Sequence, residues 1–287
     1  MTEQWGQTNL PSALRMYLFD EIILLKMTVW SHPTSIFSSL PLKKMAYLES
    51  IMTKTAILTF CVGADYKKAM EPGLNSKREY AERHGYNFHT GGEDVWDRDM
   101  PIPWSKFHFI LKYLDDYDWL FWSDADVIIL NQELKLEDHV FPHLPKDKDI
   151  LWTFDACNHY NNGHLLIRGK SAWVRDYFQR CLQQKDLLYH IWWDNAAMIR
   201  LFEKNPEDNA KIHTLKEHWI MNSYLYGTQD TATDTSTRLY KHGDFLIHFA
   251  GVYDSKLINR LMIYVLEQYK KNEPLNLQQL DAWRKQI

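Results

Sequence analysis

Cysteine is scarce in this chain of 287 residues: there are three, Cys61, Cys157 and Cys181. Their spacing fits no zinc pattern, and an odd count of three makes a poor disulfide framework. Buried, reduced thiols are the remaining expectation, and they point to a cytoplasmic enzyme or domain. A basic excess is missing as well. The formal net charge is −4, so the electrostatic footprint of a nucleic-acid binder is not there. Long apolar runs are also missing. The most apolar N-terminal stretch, Leu14 to Leu25, is interrupted by Asp20 and Glu21 and falls short of the ~20 apolar residues that a spanning helix needs. The broken run and the acidic Glu3 also fit a secretory leader badly. No transmembrane helix is expected, and peripheral contact with a membrane stays open. There is no internal repeat and no low-complexity segment.

Hydrophobic residues make up 45% and charged residues 24%, as in ordinary globular proteins, and the length suffices for one large α/β domain or a domain with an appendage. The 12 Trp and 16 Tyr suit stacking on sugars or a base, and equally the filling of a core. Two regions are expected. Residues 1–51 lack a strand–helix rhythm; Leu14, Leu18, Ile22 and Leu25 would line one face of a short docking helix. Met52 stands directly before the regular part, so it is an alternative start of translation. Residues 52–287 form the catalytic domain. Ala56 to Val62 is a continuous apolar run that reads as a buried parallel strand. Asn75 to His84 reads as a helix stopped by Gly85, Tyr86 to Thr90 as a second strand, and Ser105 onward as a helix with Phe107, Ile110, Leu111 and Leu114 on one face. Trp119 to Trp122 is a third strand. The order β-α-β-α-β is the signature of an α/β sheet. Further on, Ile150–Phe154, Leu165–Ile167 and Phe245–His248 read as strands. Ser171–Leu182, Asp194–Phe202 and Leu257–Tyr269 read as helices, and the Thr- and Asp-rich stretch Gly227–Arg238 reads as a loop.

The third strand runs straight into Asp124-Ala125-Asp126. In open α/β sheets ligands bind at the carboxyl ends of strands. Two carboxylates leaving such an end repel each other unless a hard cation such as Mg²⁺ or Mn²⁺ joins them. A cation held there attracts a diphosphate and stabilises a leaving nucleoside diphosphate as a Lewis acid. An Asp that merely caps a turn is the plain alternative for so short a motif.

Further segments narrow the choice. They are Asn75 to His89 (NSKREYAERHGYNFH), Trp104-Ser105-Lys106, Asp118 to Asp126 (DWLFWSDAD), Asn161 to Arg168 (NNGHLLIR), His218 to Tyr224 (HWIMNSY) and Gly243 to Gly251 (GDFLIHFAG). In this order they resemble the galactosyltransferase/mannosyltransferase family, which includes fungal mannan-type enzymes and plant xyloglucan xylosyltransferases, over roughly residues 55–260. The resemblance implies a GT-A fold, a Rossmann-like mixed sheet flanked by helices, with a nucleotide-sugar donor, Mn²⁺ (or Mg²⁺) and retention of anomeric configuration. It implies metal ligation by Asp124, Asp126 and His248, with Asp124 also facing the donor ribose or sugar. For His248 a satisfied core histidine is the alternative. Gly251 would let the backbone approach the diphosphate. Lys256, Lys106 and Arg78 would neutralise its charge unless they are ordinary surface cations. Asn162, in the segment Asn161-Asn162-Gly163, would belong to a donor- or acceptor-side loop. Asp194-Asn195 would lie beside the reacting carbon, where the family usually has Asp-Gln; Asn195 is one methylene shorter. Asp194 is otherwise a helix cap. Two departures are plain: the N-terminal membrane helix usual in the family is missing, and Val252-Tyr253 stand where many members carry a cysteine.

The activity so implied is transfer of a hexose or pentose from a nucleotide-diphosphate sugar to a glycan, lipid-linked glycan or protein acceptor. Two alternatives are weighed against it. An apolar strand followed by Asp-x-Asp also opens haloacid-dehalogenase-like phosphatases, with the first Asp as nucleophile, but there on the first strand. A non-catalytic sugar-binding member of the family is the other.

Overall fold

The computed structural model describes residues 53–225 and 238–284. The chain divides into two compact units at Thr53/Lys54, and every element below lies in the second. The expected docking helix within residues 1–51 and nearly all of the expected loop Gly227–Arg238 fall outside the described residues. The elements run β1 (Thr55–Phe60), α1 (Ala64–Ala69), α2 (Glu71–His84), β2 (Asn87–Gly91), α3 (Ser105–Tyr113), β3 (Trp119–Ser123), β4 (Val127–Ile129) and α4 (Leu136–His139). There follow β5 (Ile150–Phe154), β6 (Tyr160–Arg168), α5 (Ala172–Gln183), α6 (Trp193–Lys204), α7 (Pro206–Lys211), β7 (Ile212–Leu215), β8 (Leu246–His248), α8 (Ser255–Lys270) and α9 (Leu277–Arg284).

Six strands form one sheet in the order β2-β1-β3-β6-β5-β7, and β4 pairs with β8 in a second, two-stranded sheet. β6 is antiparallel to both β3 and β5, and the remaining pairs of the large sheet are parallel. β1, β3 and β5 are buried on both faces, which is why their sequences are largely apolar and not alternating. The period of two survives in which core each residue enters. Ala56, Leu58, Leu120, Trp122, Leu165 and Ile167 pack with α3, α5 and α6 on one side. Ile57, Phe121 and Leu166 pack with Tyr80 and Ala81 of α2 on the other. A third cluster joins α8, through Leu257, Leu261 and Val265, to Ile128 of β4 and Ile247 of β8.

Two expectations need correction. Cys61 and Cys181 are buried, but Cys157 is exposed. The segment Asn161-Asn162-Gly163 is not a loop: it is the first part of β6, where Asn161 pairs in register with Thr153.

Candidate active site

The acidic triplet is the passage between the two sheets. The Asp124 amide donates to Gly163 O at 2.9 Å, extending the β3–β6 ladder by one residue. Two residues later the chain enters β4, whose Val127 lies opposite His248 of β8, and the Phe249 amide donates to Asp126 O at 2.9 Å. Strand pairing thus delivers a histidine from 122 residues downstream to the acidic pair. Ligand atoms of Asp124, Asp126 and His248 all lie within 4.8 Å of one another, with His248 Nε2 3.5 Å from Asp126 Oδ1.

Lys106, on the first turn of α3, is buried beside this group. Its Nζ lies 3.2 Å from Asp124 Oδ1 and 3.1 Å from Asp194 Oδ2. It donates to Asn162 O at 3.1 Å and to Asn162 Oδ1 at 3.0 Å. The Asn162 amide donates to Asp194 Oδ2 at 2.7 Å. Lys106, Asn162, Asp124 and Asp194 therefore form one satisfied network, which buried charges require. Burial works to lower the Lys106 pKa, but Asp124 and Asp194 outweigh it and hold the amine above its ordinary value. Burial raises the Asp124 carboxyl above its ordinary value against the opposing pull of Lys106. Asn195 donates to Tyr160 O at 2.6 Å, while its Oδ1 is buried without a hydrogen-bond partner.

These groups line one cavity of about 1260 Å³. Asp124, Asp126, His248, Lys106, Asn162, Asp194, Asn195 and Gly251 all border it. Gly251 has φ 79°, in the left-handed region, and a Cβ there would meet nothing within 4 Å, so backbone conformation and not crowding calls for glycine. Lys256 does not line the cavity: it is exposed in the first turn of α8. Arg78 is likewise exposed on α2 and donates to Asn75 Oδ1.

Several contributors were not singled out from the sequence. Lys77 is fully buried behind the triplet and donates to Val127 O at 2.6 Å. Tyr66 borders the cavity; burial, with Asp126 and Asp124 adding to it, pushes its phenol above the ordinary range. Gly163 packs flat against the imidazole, since a Cβ there would lie 2.3 Å from His248 Cε1. At the cavity mouth stand Ile191, Trp192, Trp193 and Tyr253, 79, 46, 44 and 96% exposed. The repeated Asn and His of the matched segments and the Trp-Trp pair were the available signals, but they do not say which atoms face which.

The donor set is chemically coherent for a hard or borderline divalent cation, with two carboxylates, one imidazole and an adjoining hollow for further oxygen ligands.

Comparison with known proteins agrees with this picture. The model of the galactosyl transferase GMA12/MNN10 family matches residues 55–150. An alpha-1,2-galactosyltransferase of Schizosaccharomyces pombe is 34% identical over 217 residues, covering 62% of this chain and 55% of that protein. The probable alpha-1,6-mannosyltransferase MNN10 of Saccharomyces cerevisiae is 22% identical over 226 residues, covering 62% and 54%. The chain spans little more than half the length of these curated relatives. Among solved structures, a glycosyltransferase involved in the glycosylation of the major capsid of PBCV-1 superposes with a TM-score of 0.55 at 11% identity, covering 73% of this chain and 98% of that one. Among the described residues no helix is long and apolar enough to cross a membrane. The fold is that of GT-A glycosyltransferases, and the family that the chain resembles is the galactosyl transferase GMA12/MNN10 family.

Proposed function

We propose that this chain, with residues 52–287 as its catalytic unit, is a metal-dependent retaining glycosyltransferase. It would move a hexose or pentose from a nucleotide-diphosphate sugar to a hydroxyl of a glycan, lipid-linked glycan or protein. The observation that carries the reading is the convergence of Asp124, Asp126 and His248 within 4.8 Å on the floor of the cavity. The relatives named as a galactosyltransferase and a probable mannosyltransferase support the same class.

Asp124, Asp126 and His248 would hold Mn²⁺ or Mg²⁺. When bound, the ion neutralises a diphosphate and acts as a Lewis acid on the leaving group. Lys106 keeps a fixed positive charge beside the acidic pair, and Gly251 leaves backbone access at the cavity edge. Asp194 and Asn195 sit across from the acidic pair and bind and orient the transferred sugar. The unpartnered Asn195 Oδ1 is an acceptor for a sugar hydroxyl, and the shorter side chain is no obstacle to that role.

Asp194 Oδ2 is held by Asn162 and Lys106, a positioning role, and the proposed course is front-side displacement, which needs no nucleophile from the protein, over a covalent glycosyl–Asp194 intermediate. In that course the bond to the diphosphate loosens first, positive charge develops on the sugar ring, and a phosphate oxygen of the donor takes the acceptor proton. Trapping of a glycosyl adduct on Asp194 would overturn this choice.

The cavity is larger than the ~300–1,000 Å³ of a typical single small-molecule site, which supports a second ligand, and the exposed aromatic mouth would hold the acceptor. A donor screen that reads released nucleoside diphosphate in Mn²⁺ tests the reading. At least one nucleotide sugar is expected to turn over, and Asp126→Ala to abolish it. Cleavage of a generic aryl phosphate, with no donor turned over, would instead favour the phosphatase alternative. Donor binding without turnover across varied acceptors would favour a non-catalytic sugar-binding protein.

A further inference from the structure

Behind the metal-side group lies a buried polar chain that the proposed chemistry does not touch. Asn222 is fully buried between two imidazoles. Its Oδ1 lies 3.0 Å from His164 Nδ1 and 2.9 Å from His248 Nδ1. The orientation of its amide follows from the other end. Asn222 Nδ2 faces Asn161 Oδ1 at 3.2 Å and Phe154 O at 3.4 Å. Both partners are acceptors: Phe154 O is a carbonyl, and Asn161 Oδ1 is fixed as an oxygen because it accepts the Gly163 amide at 2.9 Å. The atom facing them must be the NH₂ group, so the atom between the two rings must be the oxygen. The Tyr224 hydroxyl also stands near His248 Nδ1, but at 3.4 Å; an oxygen at 2.9 and 3.0 Å from two imidazole nitrogens requires an N–H from each at Nδ1.

For His164 this leaves Nε2 as an acceptor, and the Ser123 hydroxyl, 3.2 Å away, donates to it. His164 is fully buried, and its two partners are an amide oxygen and a hydroxyl with no carboxylate among them, so this ring is neutral. For His248 the same constraint puts the proton on Nδ1, and Nε2 stands 3.5 Å from Asp126 Oδ1, farther than a charge-assisted N–H···O bond reaches, so Nε2 turns its lone pair there. A lone pair and a carboxylate facing one point are a cation's ligands and not each other's partners.

We propose that Asn222 is a positioning residue that fixes His248 in the Nδ1–H tautomer and so presents its Nε2 lone pair to the metal. Metal-binding histidines generally depend on an acceptor for the other ring nitrogen, and here one side-chain oxygen serves that need while tying His248 to the β3–β6 ladder through His164 and Ser123. The inference rests on the metal-dependent reading above, and its test separates the two. Long-range ¹H–¹⁵N correlation on the metal-free wild-type protein, at about pH 8.5 and so above the ordinary imidazole range, is expected to show His248 protonated at Nδ1 alone.

Asn222→Leu, close in volume, removes the acceptor. In it His248 is expected to shift toward the Nε2–H tautomer, and Mn²⁺ affinity, read by calorimetry, to fall about ten- to a hundredfold. Asp126→Asn is expected to lose Mn²⁺ with the His248 tautomer unchanged. Failure of the wild-type protein to take up Mn²⁺ would sink the metal-dependent reading while leaving the tautomer to be decided by the spectra. A wild-type His248 protonated at Nε2 would overturn the inference, even where the Leu variant does not fold. So would a folded Leu variant with an unchanged tautomer and undiminished Mn²⁺ affinity.

Discussion

Lys77 and Lys106 show how differently one residue type behaves in two buried settings around the same acidic pair. Lys106 touches two carboxylates and keeps its charge. Lys77 donates to backbone carbonyls, Val127 O at 2.6 Å and Gly73 O at 3.4 Å, and burial pushes its pKa down from 10.5 to about 7, with Asp126 and Asp124 pulling the other way. The folded-state value is depressed, so between about 7 and 10.5 the unfolded chain binds a proton that the folded chain does not. Stability must therefore rise with pH across that window, by at most about 1.4 kcal/mol per pH unit for one proton, and the penalty of charging a buried amine is fully present below it. Urea unfolding of wild type and Lys77→Met over a pH series checks this. The stability of the wild type relative to the variant is expected to grow as pH rises through the window. A difference that stays flat would mean that Lys77 keeps its proton when buried. The sequence drew attention to Arg78 and not to Lys77, because both read as cations on a polar helix. Only the helix phase separates them: Gly73, Leu74, Lys77, Tyr80 and Ala81 face inward, and Arg78 is a step of about 100° away.

At the scale of elements, the most constrained contact is between α2 and the passage that carries the triplet. Gly73 lets the helix rest directly on backbone: a Cβ there would lie 2.5 Å from Val127 O and 2.9 Å from Ala125 O. Alanine would gain helix propensity of about 0.5–1 kcal/mol, but the overlap is with peptide oxygens that have no rotamer to escape into, and overpacking of this kind costs about 1–3 kcal/mol. Gly73→Ala is therefore expected to lower stability by about 1–2 kcal/mol in denaturant titration and to reduce transfer activity by shifting Asp126. A variant as stable and active as wild type would show that α2 can lift away freely.

The same region explains which elements were legible. β1, β3 and β5 announce themselves as continuous apolar runs, and the expected span of β5 coincides with the observed one. β6 was visible only as Leu165–Ile167, because its first residues, Tyr160 to His164, are chosen for what they contact in the site and break the apolar pattern. β4, only three residues long, starts directly behind the triplet and pairs with a strand more than 100 residues away, so no local period reveals it. β7 is four residues with two polar ones and gives no run at all. His248 was legible as a metal ligand through its resemblance-bearing segment, whereas Asn222 and His164 were not, because their roles lie in the side-chain geometry between strands.

For the whole molecule, the two sheets and the helix α6 enclose a cavity with two unlike walls. One is charged and polar: the acidic pair, His248, Lys106, Asn162 and Asp194. The other is aromatic and open: Trp192 stands against His159 with ring centroids 4.0 Å apart, and Trp193 is held at φ 51°, a backbone state that non-glycine residues adopt only where the surroundings impose it. The aromatic residues are the exposed part of the lining, so on the proposed function a ligand bound there would meet the sugar end of a donor whose diphosphate lies over the acidic pair. Aromatic faces at a mouth fit the apolar faces of pyranose rings and leave the ring hydroxyls to polar neighbours such as Asn161 and Asp155. Loss of such a contact should therefore weaken the acceptor alone. In Trp192→Ala, the KM for a productive acceptor is expected to rise about thirtyfold, corresponding to the ~2 kcal/mol that truncation of an aromatic anchor costs, while the KM for the donor and its slow hydrolysis by water stay at wild-type values. Initial-rate kinetics with each substrate varied in turn make the separation. A change in the donor constant with an unaltered acceptor constant would move the donor to the aromatic wall and reverse the assignment of the two halves of the cavity.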